Sequence, residues 1–221
     1  MLKRTLDSFR RHGAAGFFDV HLGARFRRYV FNSRPCTLIH VFVDDYPFRY
    51  LRKRSFCDVV KITSPEQLDR YQAPEIDKKR SFMNRWIGRG DHFFLGVKDG
   101  EPVGFIDLSM VRFHDREGLV VEVFPERGEC KVRDIQVFPK FRRTVAVGLL
   151  HDVAIEYAKE HGFTRVVGAI YMEKEPALKA SKRIGFREYE RQQCYRLFHW
   201  FYWHRKVWRA PTPEHDREMT W

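Results

Sequence analysis

The stretch DIQVFPKFRRTVAVGLLHD, residues 134–152, combines a carboxylate, a strand-like apolar run, a basic loop and the start of a helix. The basic loop contains Arg142 and Arg143 and follows Pro139, near which a strand is expected to end. A helix N-terminus exposes unpaired backbone N–H groups and a partial positive charge, so a basic loop that leads directly into one can bind phosphate. The pattern predicts a phosphate-binding strand–loop–helix unit, and the alternative is a basic turn that binds no ligand.

Other reaction chemistries have no matching motif in the sequence. No G-x-G-x-x-G follows a predicted strand, which argues against a nicotinamide-dependent dehydrogenase, and no Ser/His/Asp or Cys/His nucleophile signature is present. The four cysteines are scattered, without a C-x-x-C pair or a Cys/His pair at metal-ligand spacing. We therefore expect reduced cysteines and no bound metal.

The positive charge of the chain is concentrated near its N-terminus. The formal net charge is +12, and residues 1–54 contain twelve Lys and Arg against four Asp. Such a field favours an anionic partner: an acidic carrier protein, an anionic membrane surface or, with less support, nucleic acid. The alternative is a solvated basic surface without a partner.

Length and hydropathy limit the organisation of the chain. Its 221 residues suffice for one full-sized domain, and no apolar run reaches the length that spans a bilayer. The first residues also lack the continuous apolar stretch of a signal peptide, so we expect a cytoplasmic protein, with a peripheral membrane location as the alternative. We divide the chain into a basic extension packed on or beside the core (1–55), one domain (56–208) and a C-terminal tail (209–221).

The remaining pattern predicts an α/β protein with a mixed sheet. Ser64 begins a helix with a capping box, and Asp99-Gly100 marks a tight hairpin between two alternating strands. The helix after the basic loop has one apolar face and ends at Gly162. From residue 56 the predicted order of elements is β-α-α-β-β-β-α-β-α-β-β, and two short strands separated by Ser33-Arg34-Pro35 are expected before it.

Two stretches of this pattern resemble the GCN5-related N-acetyltransferase (GNAT) superfamily, over residues 56–200 of the sequence. DIQVFPKFRR is similar to the family's strand, V-x-P-x-[YF]-R sequence and pyrophosphate loop, and ALKASKRIGFRE is similar to its late helix followed by Gly-Phe. The resemblance implies a GNAT-like acyl-CoA N-acyltransferase fold. It also implies transfer of an acyl group from acetyl-CoA or another acyl-CoA to the amine of a small molecule or peptide.

The resemblance further implies which residues hold the donor. The matching positions are Ile135, Gln136 and Val137 for the pantetheine arm, and Arg142, Arg143, Thr144, Val145, Ala146, Val147 and Gly148 for the pyrophosphate. The family usually has glycine or alanine at two positions of this loop, and an ungapped register from Pro139 places them at Val145 and Val147. A register one residue later places them at Ala146 and Gly148. We prefer the ungapped register and expect altered CoA geometry or affinity, because a branched side chain limits the approach of phosphate.

Acyl transfer to an amine needs a base for the acceptor ammonium. The resemblance makes Asp134 the first candidate, because acidic residues are frequent at this position of the family. The alternative is a structural carboxylate paired with Arg133 or Arg165. Glu122 and Glu129, on the preceding segments, are weaker candidates for the base.

The leaving thiolate can take its proton from an acid. In the family this acid is often a tyrosine four residues before Gly-Phe, and here that position is Ser181. Tyr171, at the end of the adjoining predicted strand, could replace it, and the alternative is a tyrosine that only packs in the core. A thiolate that leaves unprotonated or takes its proton from water also remains open.

Two other functions remain open beside transfer from CoA. An acyl carrier protein, whose surface is acidic, could be the donor, or a catalytically silent GNAT-fold module could bind a lipid surface or nucleic acid. The aromatic-rich segment FHWFYWHRKVW, residues 198–208, is either an interfacial belt or a set of rings that covers the end of the sheet.

Overall fold

An eight-stranded mixed sheet is the centre of the computed structural model, which describes residues 31–110, 113–114, 120–121, 123–198 and 201–210. The strands are β1 (Phe31–Phe42), β2 (Asp58–Ile62), β3 (His92–Lys98), β4 (Glu101–Ser109), β5 (Phe113–His114), β6 (Val120–Val121), β7 (Glu129–Val137), β8 (Arg165–Tyr171), β9 (Arg187–Leu197) and β10 (Phe201–Arg209). The helices are α1 (Pro65–Asp69), α2 (Pro74–Ile87), α3 (Ala146–Glu160) and α4 (Glu175–Ile184). Short 3₁₀ segments cover Leu51–Phe56, Pro125–Arg127 and Pro139–Phe141.

The predicted fold class and the predicted element order from residue 56 are confirmed. The elements β2, α1, α2, β3, β4, β7, α3, β8, α4, β9 and β10 follow that order. One addition was not predicted as a separate unit: β5 and β6 form a two-stranded ribbon between β4 and β7.

The neighbouring strands of the main sheet follow the order β10-β9-β1-β8-β7-β4-β3-β2. They pair antiparallel except for β7 and β8, which run parallel as far as the pair Val132–Gly168. Each of the two strands continues beyond that pair, β7 to Val137 and β8 to Tyr171, without pairing with the other. The two strands therefore diverge and open the middle of the sheet at one end.

Strand β1 lies inside the sheet, between β8 and β9. It is one continuous strand, so the expected break at Ser33-Arg34-Pro35 is wrong. Pairing of β1 with β9 begins at Phe31, whereas pairing with β8 begins only at Cys36. Pro35, which has no N–H to donate, therefore precedes the hydrogen-bonded pairing with β8 and does not disrupt it. Residues 31–42 thus share one sheet with the predicted domain, and residues 1–30 lie outside the described part of the chain.

Residues 43–56, called the strap here, connect β1 to β2 across α3. Asp152, a buried residue of α3, accepts hydrogen bonds from the Tyr46 hydroxyl (2.6 Å) and from the backbone N–H groups of Tyr50 (2.5 Å) and Leu51 (2.9 Å). One carboxylate therefore satisfies N–H groups at the start of a 3₁₀ segment and fixes the strap on α3.

Helix α3 packs between the strap and the sheet. Its buried apolar residues are Ala146, Leu149, Leu150, Ala154, Ile155 and Ala158. They belong to two apolar clusters, one reaching β1 and β8 and the other reaching α2 and β3. The helix that follows the basic loop is thereby held rigidly, with its N-terminus at the open end of the sheet.

Candidate active site

The divergence of β7 and β8 opens a cavity of about 740 Å³. Its walls come from β7 and β8, the loop before α3, the first turns of α3, helix α4 and the outer part of α2. The predicted residues that line the cavity are Asp134, Ile135, Val137, Arg142, Arg143, Thr144, Val147, Tyr171 and Ser181. Four other predicted residues, Gln136, Val145, Ala146 and Gly148, do not line it.

A bulge in β7 explains why neighbouring residues of one strand border the same cavity. The register of β7 with β4 shifts so that Asp107 lies opposite Asp134 and Leu108 lies opposite Val132, which leaves Arg133 as the extra residue. A bulge bends the strand and turns side chains away from strict alternation. Residues 132–135 therefore all reach the cavity.

The loop before α3 leaves the helix start open to a ligand. The Thr144 hydroxyl donates to the carbonyl of Phe141 (2.6 Å) and accepts from the N–H of Ala146 (3.3 Å). The N-cap residue Val145 supplies no side-chain cap. An α-type bond runs from the N–H of Leu149 to the carbonyl of Val145 (3.0 Å). Within the same turn, Val147 is the residue that lines the cavity, and its N–H group, which has no acceptor within the helix, is available to an anion.

Cationic side chains surround this helix start. Arg142 and Arg143 lie exposed on the loop, and Arg143 adopts a left-handed backbone conformation with φ of 66°. Lys174, the N-cap residue of α4, lines the cavity from the opposite wall. Backbone donors and full positive charges thus face the same space, which suits a phosphate or pyrophosphate.

The two small residues at the start of α3, Ala146 and Gly148, allow close packing inside the protein and do not border the space where a phosphate would bind. A Cβ atom on Gly148 would lie 2.4 Å from the ring of Tyr50 in the strap, and Ala146 is fully buried. Val147, in contrast, lines the cavity. Of the two valines that the ungapped register places in the loop, Val147 is the one that can border a ligand in the cavity.

Asp134 forms an ion pair with Lys79 of α2, with 2.5 Å between Oδ2 and Nζ. Both side chains are partly exposed and line the cavity. The expected alternative named Arg133 or Arg165 as the partner, whereas the ion pair that the structure shows is with Lys79. The guanidinium of Arg165 donates to Glu129 (3.0 Å) and to His40 (2.9 Å).

The other two acidic candidates do not reach the cavity in the described part of the chain. Glu129 is buried in its pair with Arg165, away from the cavity wall. Glu122 lies outside the described residues. Among the described carboxylates, Asp134 is the one that lines the cavity.

A buried charged cluster supports the β7 bulge behind Asp134. The guanidinium of Arg133 donates to Asp91 and to the hydroxyl of Ser109 (2.7 Å), and its Nε lies 3.3 Å from Asp107. Burial raises the pKa of Asp107 to about 8, since loss of solvation outweighs the attraction of Arg133. At neutral pH the buried carboxyl of Asp107 therefore keeps its proton for most of the time.

A family comparison agrees with this geometry. The sequence model of the family described as "Acetyltransferase (GNAT) family" matches residues 56–186, more than half of the chain and all of β7, α3, β8 and α4. The chain belongs to the GNAT acetyltransferase family. This membership confirms the resemblance stated from the two motifs.

Individual relatives agree with the family assignment. An uncharacterized N-acetyltransferase of Methanocaldococcus jannaschii is 31% identical over 109 residues, which cover 48% of this chain and 44% of the relative. The matched part therefore spans less than half the length of that curated relative.

Solved structures agree with the fold. The GCN5-related glucosamine N-acetyltransferase region of a fungal multi-domain GH3 β-N-acetylglucosaminidase has a TM-score of 0.54 at 13% identity, covering 80% of this chain and 22% of that chain. A tandem GNAT protein from the clavulanic acid biosynthesis pathway has a TM-score of 0.52 at 18% identity, covering 91% and 60%. At such identities the likeness shows the fold alone.

The two acid candidates of this GNAT domain both line the cavity. Tyr171 is a buried residue of β8, opposite Cys36 in β1, and the guanidinium of Arg34 lies 5.2 Å from its ring centroid. Ser181 is buried on α4, where its carbonyl accepts from the N–H of Phe186 (3.0 Å). Their roles in protonating a thiolate stay predictions.

The sequence analysis missed His151, a buried histidine that lines the cavity. Its Nδ1 lies 2.8 Å from the carbonyl of Val147, and a carbonyl can only accept, so the proton is on Nδ1 and Nε2 is an acceptor. Burial lowers the pKa of His151 to about 4, so this GNAT domain presents a neutral imidazole. The spacing of four residues from Val147 could have placed it on the same helical face.

Metal and membrane signals are absent from the described residues. No group of three or more His, Cys, Asp or Glu in that part of the GNAT chain could hold a metal ion. None of the helices that it contains is long and apolar enough to cross a membrane.

Proposed function

We propose that this GNAT domain transfers an acyl group, with acetyl as the simplest case, from acyl-CoA to the amine of a small molecule or peptide. The observation that supports the proposal is the cleft between β7 and β8, which leads to the basic, uncapped start of α3. A slot between strand backbones suits a pantetheine arm, and a helix start with two arginines suits a pyrophosphate.

The donor would lie along β7 and end at the helix start. In the part of the chain that the structure describes, the backbone of residues 133–137 has no strand neighbour on its β8 side, so its polar groups are available to the amides of pantetheine. The N–H group of Val147, with Arg142 and Arg143, would bind the pyrophosphate. His151, at the floor, offers Nε2 as an additional acceptor.

Asp134 would accept the proton of the acceptor ammonium. Its carboxylate already binds one ammonium, that of Lys79, in the same cavity. An acceptor amine that replaces Lys79 would lie beside the donor thioester and lose its proton to Asp134. The neutral nitrogen then forms the new C–N bond and the C–S bond breaks. The nitrogen gives up its second proton, and the thiolate receives one in exchange, relayed by Tyr171, Ser181 or water, so that the products are the neutral amide and the CoA thiol.

The test of donor binding does not need the acceptor. Calorimetric titration should show CoA binding to the full chain, and Arg142→Glu should weaken it at least about tenfold, because each charge-assisted contact contributes roughly 1.5 to 3 kcal/mol. The matched control is Arg89→Glu, an exposed arginine outside the cavity, which should leave the affinity unchanged.

The opposite result has a definite meaning. A folded wild type that binds no CoA at millimolar concentration, with no binding gained by Val147→Gly, would overturn donor binding at this loop. Titration with an acyl-loaded acyl carrier protein then tests the alternative donor, which the basic residues of the N-terminal quarter favour electrostatically. A cytoplasmic location belongs to the same proposal, as the compartment in which acyl-CoA and carrier proteins are used.

A further inference from the structure

The hairpin of β9 and β10 concentrates exposed apolar side chains. Among the described residues, seven large hydrophobic side chains are exposed, and five of them lie on or next to this hairpin. They are Phe198, Phe201, Trp203, Val207 and Trp208, with exposed fractions between 42% and 66%. Isolated exposed hydrophobics are ordinary on a protein surface, but a cluster on one element marks an interaction surface.

Cationic side chains lie on the same strand as most of these apolar ones. Strand β10 contains Arg205, Lys206 and Arg209 and no Asp or Glu. All three cations are exposed. The edge of the sheet therefore combines aromatic rings with positive charge.

The side chains of this edge are held by cross-strand contacts. The rings of Tyr195 and Trp203 stack with centroids 5.2 Å apart and planes 11° apart, and the guanidinium of Arg191 lies 5.6 Å from the ring centroid of Trp208. β10 is the last strand of the sheet and pairs only with β9 in the described chain. The patch is thus a preformed surface at the sheet edge.

We propose that the β9–β10 hairpin docks on an anionic lipid surface. Tryptophan and phenylalanine partition into the region between headgroups and acyl chains, while Lys and Arg beside them bind anionic headgroups. The patch has this composition, with Phe201 and Val207 as the most exposed apolar groups and with Arg205 and Arg209 exposed on the same strand. The inference is independent of acyl transfer, because none of the five exposed apolar side chains of the hairpin lines the cavity.

Two other occupants fit the patch less well. A second copy that paired with β10 in an antiparallel register centred on Arg205 would bring like charges together, which is destabilising. Nucleic acid would use the aromatic rings and cations, but it offers no apolar medium for Val207, the most exposed member of the group. An anionic bilayer satisfies the rings, the aliphatic side chain and the cations together.

The test uses the full chain and vesicles of phosphatidylcholine with or without phosphatidylglycerol. We expect co-sedimentation with the anionic vesicles only, with a blue shift of tryptophan fluorescence and a loss of binding as salt rises. Arg205→Gln with Arg209→Gln should weaken binding by roughly tenfold or more. Phe201→Ser with Val207→Ser should also weaken it and reduce the blue shift.

Controls separate the hairpin from the rest of the basic surface. Val60→Ser, an exposed valine on β2 at the opposite edge, and Arg89→Gln should leave vesicle binding unchanged. Because the altered hairpin side chains are exposed, the variants should melt like the wild type, and Val207→Ser alone is the mildest of them.

Several outcomes would overturn the proposal. One is a folded wild type that ignores anionic vesicles. Another is vesicle binding that survives both hairpin double variants and disappears when residues 1–12 are deleted. A self-association that the hairpin variants abolish would instead assign the patch to a second copy, and a preference for single-stranded oligonucleotides over vesicles would assign it to nucleic acid.

Discussion

Gly148 lies so close to Tyr50 that a Cβ atom at position 148 would be 2.4 Å from the tyrosine ring. The backbone N–H of Tyr50 donates to the carboxylate of Asp152, which lies one turn after Gly148 on α3. The glycine at the start of α3 is therefore required by the strap that crosses the helix. The cavity-facing residue of the same turn is Val147, so the approach of a phosphate and the packing of the strap are controlled by adjacent residues.

Gly148→Ala should destabilise the protein. In a helix the change from glycine to alanine normally stabilises by about 1 kcal/mol. Here the added methyl group meets the Tyr50 ring, and overpacking typically costs about 1 to 3 kcal/mol. Urea denaturation should show a lower free energy of unfolding, and Tyr50→Leu added to Gly148→Ala should recover part of the loss. A stabilised single variant would contradict this packing.

Val147→Gly and Val145→Gly form a matched pair for the loop. Only Val147 lines the cavity, so Val147→Gly should raise the affinity for CoA by allowing closer approach of the pyrophosphate, whereas Val145→Gly should leave it unchanged. Calorimetric titration measures both. Equal effects of the two changes would show that backbone flexibility, and not the side chain in the cavity, governs binding.

Asp134→Asn should lower turnover by roughly a hundredfold or more while leaving CoA affinity nearly intact, because general-base catalysis typically contributes that much. The measurement is steady-state turnover with an acceptor found by substrate screening. Asp58→Asn, at an exposed carboxylate of β2, is the surface control.

Lys79→Gln distinguishes a base from a structural ion pair. If Asp134 is the base, Lys79→Gln leaves the carboxylate in place and should keep most of the turnover. If the two residues matter only as an ion pair, Lys79→Gln and Asp134→Asn should lower turnover equally, and the base would have to be another group.

The pKa of Asp107 gives a pH dependence of stability with an unusual sign. Its folded-state pKa is raised from 3.8 to about 8, so between about pH 4 and 8 the folded state binds more protons than the unfolded state. The contribution of Asp107 to the free energy of unfolding is therefore largest at low pH. It falls as the pH rises towards 8, by at most about 1.4 kcal/mol per pH unit. In urea denaturation, Asp107→Asn should resemble the wild type near pH 4 and gain stability relative to it by pH 8. Parallel pH profiles of the two proteins would contradict the raised pKa.

Local sequence determined the elements and the general position of the site. Asp99 and Gly100 both adopt positive φ in the predicted hairpin turn, and Gly162 does so after α3, because turns and helix ends depend on the backbone preferences of a few adjacent residues. The strand–loop–helix segment is likewise local, since Pro139 and the arginines lie next to the helix that they precede. These features could be predicted because every group involved is close along the chain.

Which strands pair and which side chains meet across separate elements was decided by the tertiary structure alone. Alternation identifies β1 as extended but does not say that it lies between β8 and β9, since pairing partners are chosen by packing across the whole sheet. The pairing of Asp134 with Lys79 and the contact of Gly148 with Tyr50 join residues from separate elements, so no spacing in the sequence encodes them. The role of each loop residue follows from which side of α3 it occupies, and that side is fixed by the packing of the helix between the strap and the sheet.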